Sequence, residues 1–171
     1  LLNRNCFTPV AIKELTQKER DNAQEALMFM SEKKNGTIKG QMVYNKKPTH
    51  EWMSREEVES PTAATEDVLL ISAIDALENH DVMTSDISNA SYQAKMPSND
   101  IGDERVIMKI TGPLVDLLIE LNAELYGPIV VYENKRKLMY VWVLCAIYGM
   151  LIVGLLWYQK FKMRMEQVGF I

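Results

Sequence analysis

One aspartate in this chain stands where a carboxylate could do chemistry, at the end of a short apolar segment. In residues 81–90, Val82, Ser85 and Ile87 alternate with Met83 and Asp86 after a long helix-like run, and this pattern predicts a short buried strand that ends at the carboxylate. A carboxylate is costly to bury without a partner. Asp86 therefore lies either at an exposed strand end or in a metal-binding site, and the residues alone leave both open.

Lysines cluster around the dipeptide Asn35-Gly36, which is the strongest hairpin signal in the chain. The predicted hairpin joins a strand that includes residues 28–30 to a second strand over residues 38–43. The clustered cations are Lys33, Lys34, Lys39, Lys46 and Lys47. Such a hairpin is either a solvated charged turn or a surface that attracts the phosphates of a nucleic acid or nucleotide.

The composition is that of an ordinary globular protein. With 171 residues, 47% hydrophobic and 25% charged, the chain is long enough for one domain with a proper core. The net charge of -4 excludes a surface that is basic throughout, so nucleic-acid binding requires a local basic patch. Cys6 and Cys145 form neither a disulfide framework nor a zinc pattern, which favours an intracellular location. Because the chain starts at Leu1 and stops at Ile171, we expect a piece of something longer.

The secondary-structure elements that would position these residues include both helices and strands, which predicts an α+β fold. A capping box from Thr16 to Glu19 predicts a helix running towards Met30, and Ser54 begins a second possible capping box. Pro61 is predicted in the first turn of a helix that ends near residues 79–80. The later predictions are a loop over 95–104, a strand over 105–110, a helix over 113–125, a hairpin of 129–132 with 138–144, and a helix over 147–168.

Three segments, in order, resemble those of Ty1/copia-type retrotransposon reverse transcriptases. Residues 27–40 are similar to the basic fingers hairpin of that family. Ser60-Pro-Thr followed by Asp86-Ile-Ser-Asn-Ala resembles the first palm segment, in which a helix leads to a strand ending in Asp-Ile-Pro-Asn-Ala-Phe. Tyr148-Gly149, with Trp157-Tyr158 downstream, looks like the Leu-Tyr-Gly-Leu-Lys-Gln segment and its following aromatic pair.

The resemblance implies a partial right-hand polymerase fold, with a fingers hairpin and an incomplete palm sheet with helices. Residues 1–60 would form the N-terminal segment and the fingers-like hairpin, and residues 61–171 a partial palm with a fingers insertion. The implied activity is RNA-directed DNA polymerisation in a mobile element, with an RNA template and a DNA primer as partners. The family's Tyr-x-Asp-Asp motif would follow residue 171, so a further partner is the missing remainder of the polyprotein.

The resemblance also assigns roles to individual residues. Asp86 would be the catalytic carboxylate that binds Mg²⁺, and the backbone carbonyl of Ile87 would add a ligand. The residues implied to contact nucleic acid or nucleotide are Lys33, Lys34, Lys39, Gln41, Ser91, Tyr148, Gly149 and Ile152.

The chain departs from the family at three of these positions. Gln41 stands where the family has an arginine that clamps the triphosphate, and a neutral amide cannot replace a guanidinium fork. Ser91 replaces a bulky aromatic residue that screens against ribonucleotides, and Tyr92 comes one residue later. Ile152 replaces a glutamine near the incoming nucleotide. Together with the missing acidic motif, these departures predict that the chain alone does not polymerise DNA.

A different class of protein is indicated by residues 138–158, which carry no charge. A stretch of about twenty residues suffices to cross a bilayer, and basic residues flank both ends with aromatic residues beside them. The alternative function is thus a single-pass membrane protein with an anchor near 138–158 and a soluble N-terminal domain. We favour dividing this stretch into a buried strand and a buried helix, because that explanation also accounts for the upstream motifs. A third hypothesis is a non-catalytic nucleic-acid-binding remnant that uses the lysine hairpin.

Overall fold

The computed structural model describes residues 5–45, 60–97 and 105–170. Its strands are β1 Phe7–Val10, β2 Gln24–Glu32, β3 Ile38–Tyr44, β4 Ile107–Thr111, β5 Val131–Glu133 and β6 Arg136–Val143. Its α-helices are α1 Gln17–Asn22, α2 Thr65–Glu78, α3 Ala90–Gln93, α4 Pro113–Leu121, α5 Ala123–Tyr126 and α6 Val153–Gln167. Short 3-10 turns occupy Ile12–Glu14 and Gly127–Ile129.

The strands form one mixed sheet, so the predicted α+β class is confirmed. Its order is β1-β6-β4-β2-β3, and β5 pairs with β6. Neighbouring strands are antiparallel except β2 and β4, which run parallel over residues 24–25 and 108–109. Since the rest of β2 pairs with β3, this one strand connects the lysine hairpin to the main sheet. The division into parts at residues 60 and 61 stays a prediction.

Both faces of the sheet are covered by apolar side chains. Because side chains alternate along a strand, Met108 and Ile110 of β4 enter one core while Ile107 enters the other. Val115 and Leu118 of α4 pack in the first core. The second core is closed by residues before and just after α1, namely Val10, Leu15 and Ala23.

The predicted Asn35-Gly36 hairpin is confirmed. Asn35 Oδ1 accepts hydrogen bonds from the amide of Thr37 at 3.1 Å and from its hydroxyl at 2.6 Å. Gly36 has a φ of 78°, a left-handed conformation that a residue with a side chain adopts at a cost. The amide of Lys33 donates to the carbonyl of Thr37 at 2.8 Å, which closes the turn.

The predicted helix from Thr16 towards Met30 is wrong beyond Asn22. Its capping box forms as expected: the Glu19 amide donates to Thr16 Oγ1 at 3.2 Å, and the Thr16 amide donates to Glu19 Oε2 at 2.8 Å. The chain then turns into β2, where Ala26 lies opposite Tyr44 and both are buried. Pairing with β3 and β4 outweighs the modest helix preference of these residues.

The predicted buried strand over residues 81–90 is also wrong. Residues 81–87 have no regular structure and pair with no strand of the described part, and Val82 and Met83 are 65% and 88% exposed. Asn89 adopts a left-handed φ of 55°, and α3 begins at the next residue. Aspartate, serine and asparagine side chains favour such local conformations over pairing in a sheet, and none of the strands in the described ranges overrides them.

The remaining elements agree with the sequence patterns except at several ends. The helix α2 begins at Thr65 rather than at Pro61, and it ends as expected with Asn79 in the left-handed conformation. The predicted helix over 113–125 is interrupted at Asn122, whose side chain accepts from the Leu125 amide at 3.0 Å and starts α5. The hairpin of β5 and β6 is confirmed. The possible capping box at Ser54, most of the loop over 95–104, and the side chains of Lys46 and Lys47 lie outside the described residues.

The uncharged stretch 138–158 is divided between two elements. The first part of the stretch, residues 138–143, forms most of β6. The helix α6 begins only at Val153, and not at residue 147 as predicted. Between them the chain turns at Gly149, which has a φ of 93°. Within the described ranges, no helix is both long enough and apolar enough to span a membrane.

Candidate nucleotide and nucleic-acid site

The lysine hairpin extends from the sheet with its outer part open to solvent. Lys33 and Lys34 lie at the turn, Lys39 lies on β3 opposite Ser31, and all three lysines are exposed. Phe29 of β2 is exposed as well. The outer hairpin therefore presents cations and apolar side chains together, a combination suited to phosphates beside bases.

One face of the hairpin leads inward from Lys39 through Gln41 to Val43, because alternate residues of a strand share a face. Gln41 is half-buried opposite Phe29. At the inner end, Gly149 lies directly against β3: a Cβ added to it would lie 2.5 Å from Val43 Cγ1 and 2.4 Å from the carbonyl oxygen of Tyr44. Together with its left-handed φ, this contact explains why the position requires glycine.

Tyr44, Tyr92, Tyr148 and Gly149 meet at this inner end, and we call them the tyrosine junction. The Tyr44 amide donates to the Tyr148 carbonyl at 2.8 Å, which ties β3 to the turn before α6. The Tyr92 hydroxyl donates to the Met42 carbonyl at 3.3 Å, and its ring meets that of Tyr148 edge-on at 5.4 Å. The junction thus joins three segments that are distant in sequence.

Two phenols of the junction, those of Tyr44 and Tyr92, have a raised pKa. Burial raises the pKa of Tyr44 to about 12, and burial likewise raises the pKa of Tyr92 to about 12. Neutral phenols donate hydrogen bonds and offer aromatic surface, but they are poor proton acceptors. The junction can therefore position a ligand or a backbone, and it has no general base among its tyrosines.

Ser91 is buried beside Tyr92 at 3% exposure. Its hydroxyl has no hydrogen-bond partner within the part of the chain that the structure describes. Such a group costs about 1–3 kcal/mol when buried without a partner. Residues 90–93 form a turn of helix, so Ser91 and Tyr92 lie on a helix and not on a strand.

Asp86 and Ile87 lie in the segment between α2 and α3. Both residues are exposed, so Asp86 is a surface carboxylate, although the strand expected to end at it does not form. This segment connects to α3 through the Gln93 side-chain amide, which donates to the Ser88 carbonyl at 3.2 Å. Replacing Asp86 with asparagine therefore relieves no buried charge.

The carboxylate of Asp86 does not by itself fit a two-metal site. A site for two divalent cations requires several anionic oxygens gathered in one place. Over residues 5–45, 60–97 and 105–170, no three His, Cys, Asp or Glu side chains are grouped so that they could hold a metal ion. We therefore derive no metal-dependent step from these residues.

Ile152 is half-buried and lies immediately before α6. The helix is attached to α3 by Lys160, whose ammonium donates to the Gln93 carbonyl. The structure thus brings Tyr148 and Gly149 to the junction and Ser91 next to it in sequence, while Gln41 lies further out on β3. It leaves Lys33 and Lys34 at the hairpin tip.

Sequence reasoning missed the part that Tyr44 and Tyr92 play. Both hold the junction together through contacts between segments distant in sequence, and the only local signal was an aromatic residue near each predicted site position. The lysine hairpin offers cations for phosphates, and the tyrosine junction offers aromatic rings for apolar contact. Neither places a nucleophilic side chain next to a general base. Comparison of the chain with protein-family models, with curated proteins and with solved structures gave no match.

Proposed function

We propose that this chain is a fragment of a retrotransposon RNA-directed DNA polymerase, comprising the fingers hairpin and the first half of the palm. One observation supports the proposal above the others. The segments at Ser91 and at Tyr148-Gly149, which the resemblance assigns to a single nucleotide site, meet at the tyrosine junction on the strand that carries Gln41. An intracellular setting belongs to the proposal, and the two buried thiols, neither in a disulfide, fit it.

In this proposal the lysine hairpin binds the phosphates of an RNA template and a DNA primer. Its cations lie on an exposed turn whose backbone is held by Asn35 and Gly36, so they can follow a phosphate chain without disturbing the sheet. Phosphate contacts of this kind carry no sequence information and release counterions. Binding should therefore be weak, non-specific and steeply dependent on salt.

Polymerisation requires more than this chain supplies. Mg²⁺ would be the cofactor of the parent activity, with Asp86 and the Ile87 carbonyl contributing to its site alongside carboxylates from the remainder of the polyprotein. Gln41 and Ile152 lack the groups that the family uses to hold the nucleotide. Phosphoryl transfer depends almost wholly on positioning and electrostatics, so we propose that the chain alone is inactive.

Binding is tested by fluorescence anisotropy with a labelled RNA–DNA hybrid across a salt series. The triple variant Lys33→Ala, Lys34→Ala, Lys39→Ala should weaken binding and flatten the slope of log affinity against log salt by up to about 3, since each lost phosphate contact removes about 0.9. The matched control replaces Lys13, Lys95 and Lys135, which are exposed elsewhere, and keeps the same net charge. Equal slopes for the two variants would show that the hairpin is only a solvated turn and does not bind phosphates.

Inactivity is tested by primer extension on an RNA template with Mg²⁺ or Mn²⁺. We expect no product from the chain alone. Asp86→Asn should leave the unfolding midpoint unchanged because the residue is exposed. Extension by the wild-type chain that disappears in Asp86→Asn would show that a complete metal site exists and would overturn the claim of inactivity.

A further inference from the structure

Cys6 and Cys145 lie opposite each other where β1 and β6 meet, although they are far apart in sequence. The paired residues of the two strands include Phe7 opposite Val143. Just beyond this pair, the amides of Leu144 and Cys145 both donate to the carbonyl oxygen of Cys6, at 2.8 and 3.1 Å. Two consecutive residues of one segment thus oppose a single residue of the other, which is the arrangement of a β-bulge. The bulge brings the backbones of the two cysteines into direct contact.

The distance between the two Cα atoms is compatible with a disulfide. The hydrogen bond of 3.1 Å and standard bond lengths place the Cα atoms of Cys6 and Cys145 at most about 7 Å apart. Disulfides usually join Cα atoms that are about 4.4–6.8 Å apart. A bond between the two sulfur atoms therefore requires no large movement of either backbone.

The two thiols also enter the same core. Both side chains belong to the core that contains Met108 and Val115, where Cys6 is 1% exposed and Cys145 is 7% exposed. Cys145 Sγ donates to the carbonyl oxygen of Asn5 at 4.0 Å. Since this carbonyl belongs to the peptide bond that joins Asn5 to Cys6, the Cys145 thiol points towards the residue with which it would bond.

The segment that contains Cys145 is held from its other side as well. Cys145 forms a β-bridge with Lys95, and the Ala146 amide donates to the Ala94 carbonyl at 2.8 Å. Among the described strands, β1 pairs with β6 alone. A disulfide would therefore connect the start of an edge strand to a position that is fixed on two sides, and it would close a loop that contains most of the chain.

We propose that Cys6 and Cys145 form a redox-sensitive dithiol, which a small-molecule disulfide such as oxidised glutathione converts to a reversible bond between the two sulfur atoms. Because Cys145 is the more exposed, its thiolate attacks the oxidant first, releases one glutathione thiolate and forms a mixed disulfide. The thiolate of Cys6 then attacks the sulfur of Cys145 and releases the second glutathione thiolate. Two electrons pass from the protein to the oxidant, and the two thiol protons end on the two glutathione molecules.

The bond would act on the stability of the whole fold. In a reducing compartment the pair stays as two thiols, and the bond forms only when the oxidant accumulates. A cross-link over so long a loop mainly restricts the unfolded chain. From the usual stabilisation by a disulfide, we expect the oxidised chain to unfold about 5–15 °C higher than the reduced chain. The disulfide depends on no property of the proposed polymerase.

The test incubates the full chain with mixtures of reduced and oxidised glutathione under native conditions. The remaining thiols are then alkylated, and the products are mapped by mass spectrometry. We expect one disulfide within the monomer, joining the peptides that contain Cys6 and Cys145, and its loss on reduction with dithiothreitol. Thermal unfolding of the oxidised and reduced wild-type chain measures the stabilisation without any substitution.

Two matched variants test the order of attack. Cys6→Ala should stop at the glutathione adduct of Cys145, because no second thiol remains to displace the glutathione. In Cys145→Ala, the adduct at Cys6 should form at least tenfold more slowly, because this thiol is only 1% exposed.

Three outcomes would overturn the proposal. One is a native wild-type chain in which the two sulfur atoms do not bond to each other even in the most oxidising mixture. Another is a disulfide that joins two chains, seen as a covalent dimer on a non-reducing gel. The third is an oxidised monomer that unfolds no higher than the reduced one, because the folded geometry would then not accommodate the bond.

Discussion

The strand β6 and the helix α2 are both rich in apolar residues, yet their surroundings are opposite. In β6, residues 138–141 are buried, with Met139 and Val141 entering one core and Leu138 and Tyr140 the other. In α2, Leu69, Leu70 and Ile71 face solvent. The difference comes from neighbours: β6 pairs with β4 on one side and with β1 and β5 on the other. An apolar composition indicates which segments need a packing partner. The topology of the fold decides which of those segments are buried.

The largest contrast should come from one substitution made in both regions. Leu138→Ala removes a side chain that is 4% exposed in β6, so we expect a loss of about 3 kcal/mol in the free energy of unfolding. Leu77→Ala in α2 should change it by less than about 0.5 kcal/mol, because this side chain is 86% exposed. Urea unfolding followed by circular dichroism measures both. Equal costs would show that α2 belongs to the cooperative core.

The tyrosine junction can be tested with a pair of glycines. Gly149→Ala places a methyl group against the Tyr44 carbonyl and Val43, and we expect a cost of about 3 kcal/mol. Gly169→Ala is the control, since Gly169 has a similar φ of 86° with nothing within 4 Å, and should cost about 1 kcal/mol. Thermal unfolding compares them. If the two variants lose the same stability, the close contact between Gly149 and β3 contributes nothing.

A smaller effect is expected at the ion pair that links α1 to the segment just before β4. Arg105 Nε donates to Glu19 Oε1 at 2.7 Å, and Glu19 is 9% exposed. Arg105→Ala should cost about 2 kcal/mol, because it leaves a buried carboxylate without its cation. Lys162→Ala removes a cation from an exposed pair with Glu166 on α6 and should cost less than about 0.5 kcal/mol. If chemical unfolding shows that the two variants lose the same free energy of unfolding, the expected difference between the buried and the exposed ion pair is contradicted.

The same pair predicts a dependence of stability on pH. The hydrogen bond from Arg105, opposed by burial and aided by Thr16, lowers the pKa of Glu19 below its ordinary value. The folded pKa therefore lies below the unfolded one, so this contribution is present above the unfolded value of about 4.3 and is lost as pH falls through the folded pKa. Unfolding midpoints measured from neutral to acidic pH should fall less steeply in Arg105→Ala. A slope unchanged from wild type would assign the acid sensitivity to other carboxylates.

Local chemistry was sufficient to predict several elements. The Asn35-Gly36 turn, the Thr16 capping box and the end of α2 at Asn79 depend on residues close in sequence. The charged turn between β5 and β6 belongs with them, since residues 134 and 135 both adopt positive φ. Each depends on hydrogen bonds and dihedral preferences within a few residues, so a window of sequence contains the cause.

Other features were decided only by contacts between distant segments. Residues 24–27 resembled a helix and became part of a strand because β4 pairs with residues 24–25 and β3 pairs with the residues that follow. Residues 81–87 resembled a strand and remained irregular because none of the described strands lies beside them. The tyrosine junction likewise depends on Tyr92 reaching Met42 and Gly149 reaching Tyr44 across the fold. A strand is stabilised by hydrogen bonds to a neighbouring strand, and the tyrosine junction is stabilised by packing between separate segments. The residues within one segment therefore do not determine either feature.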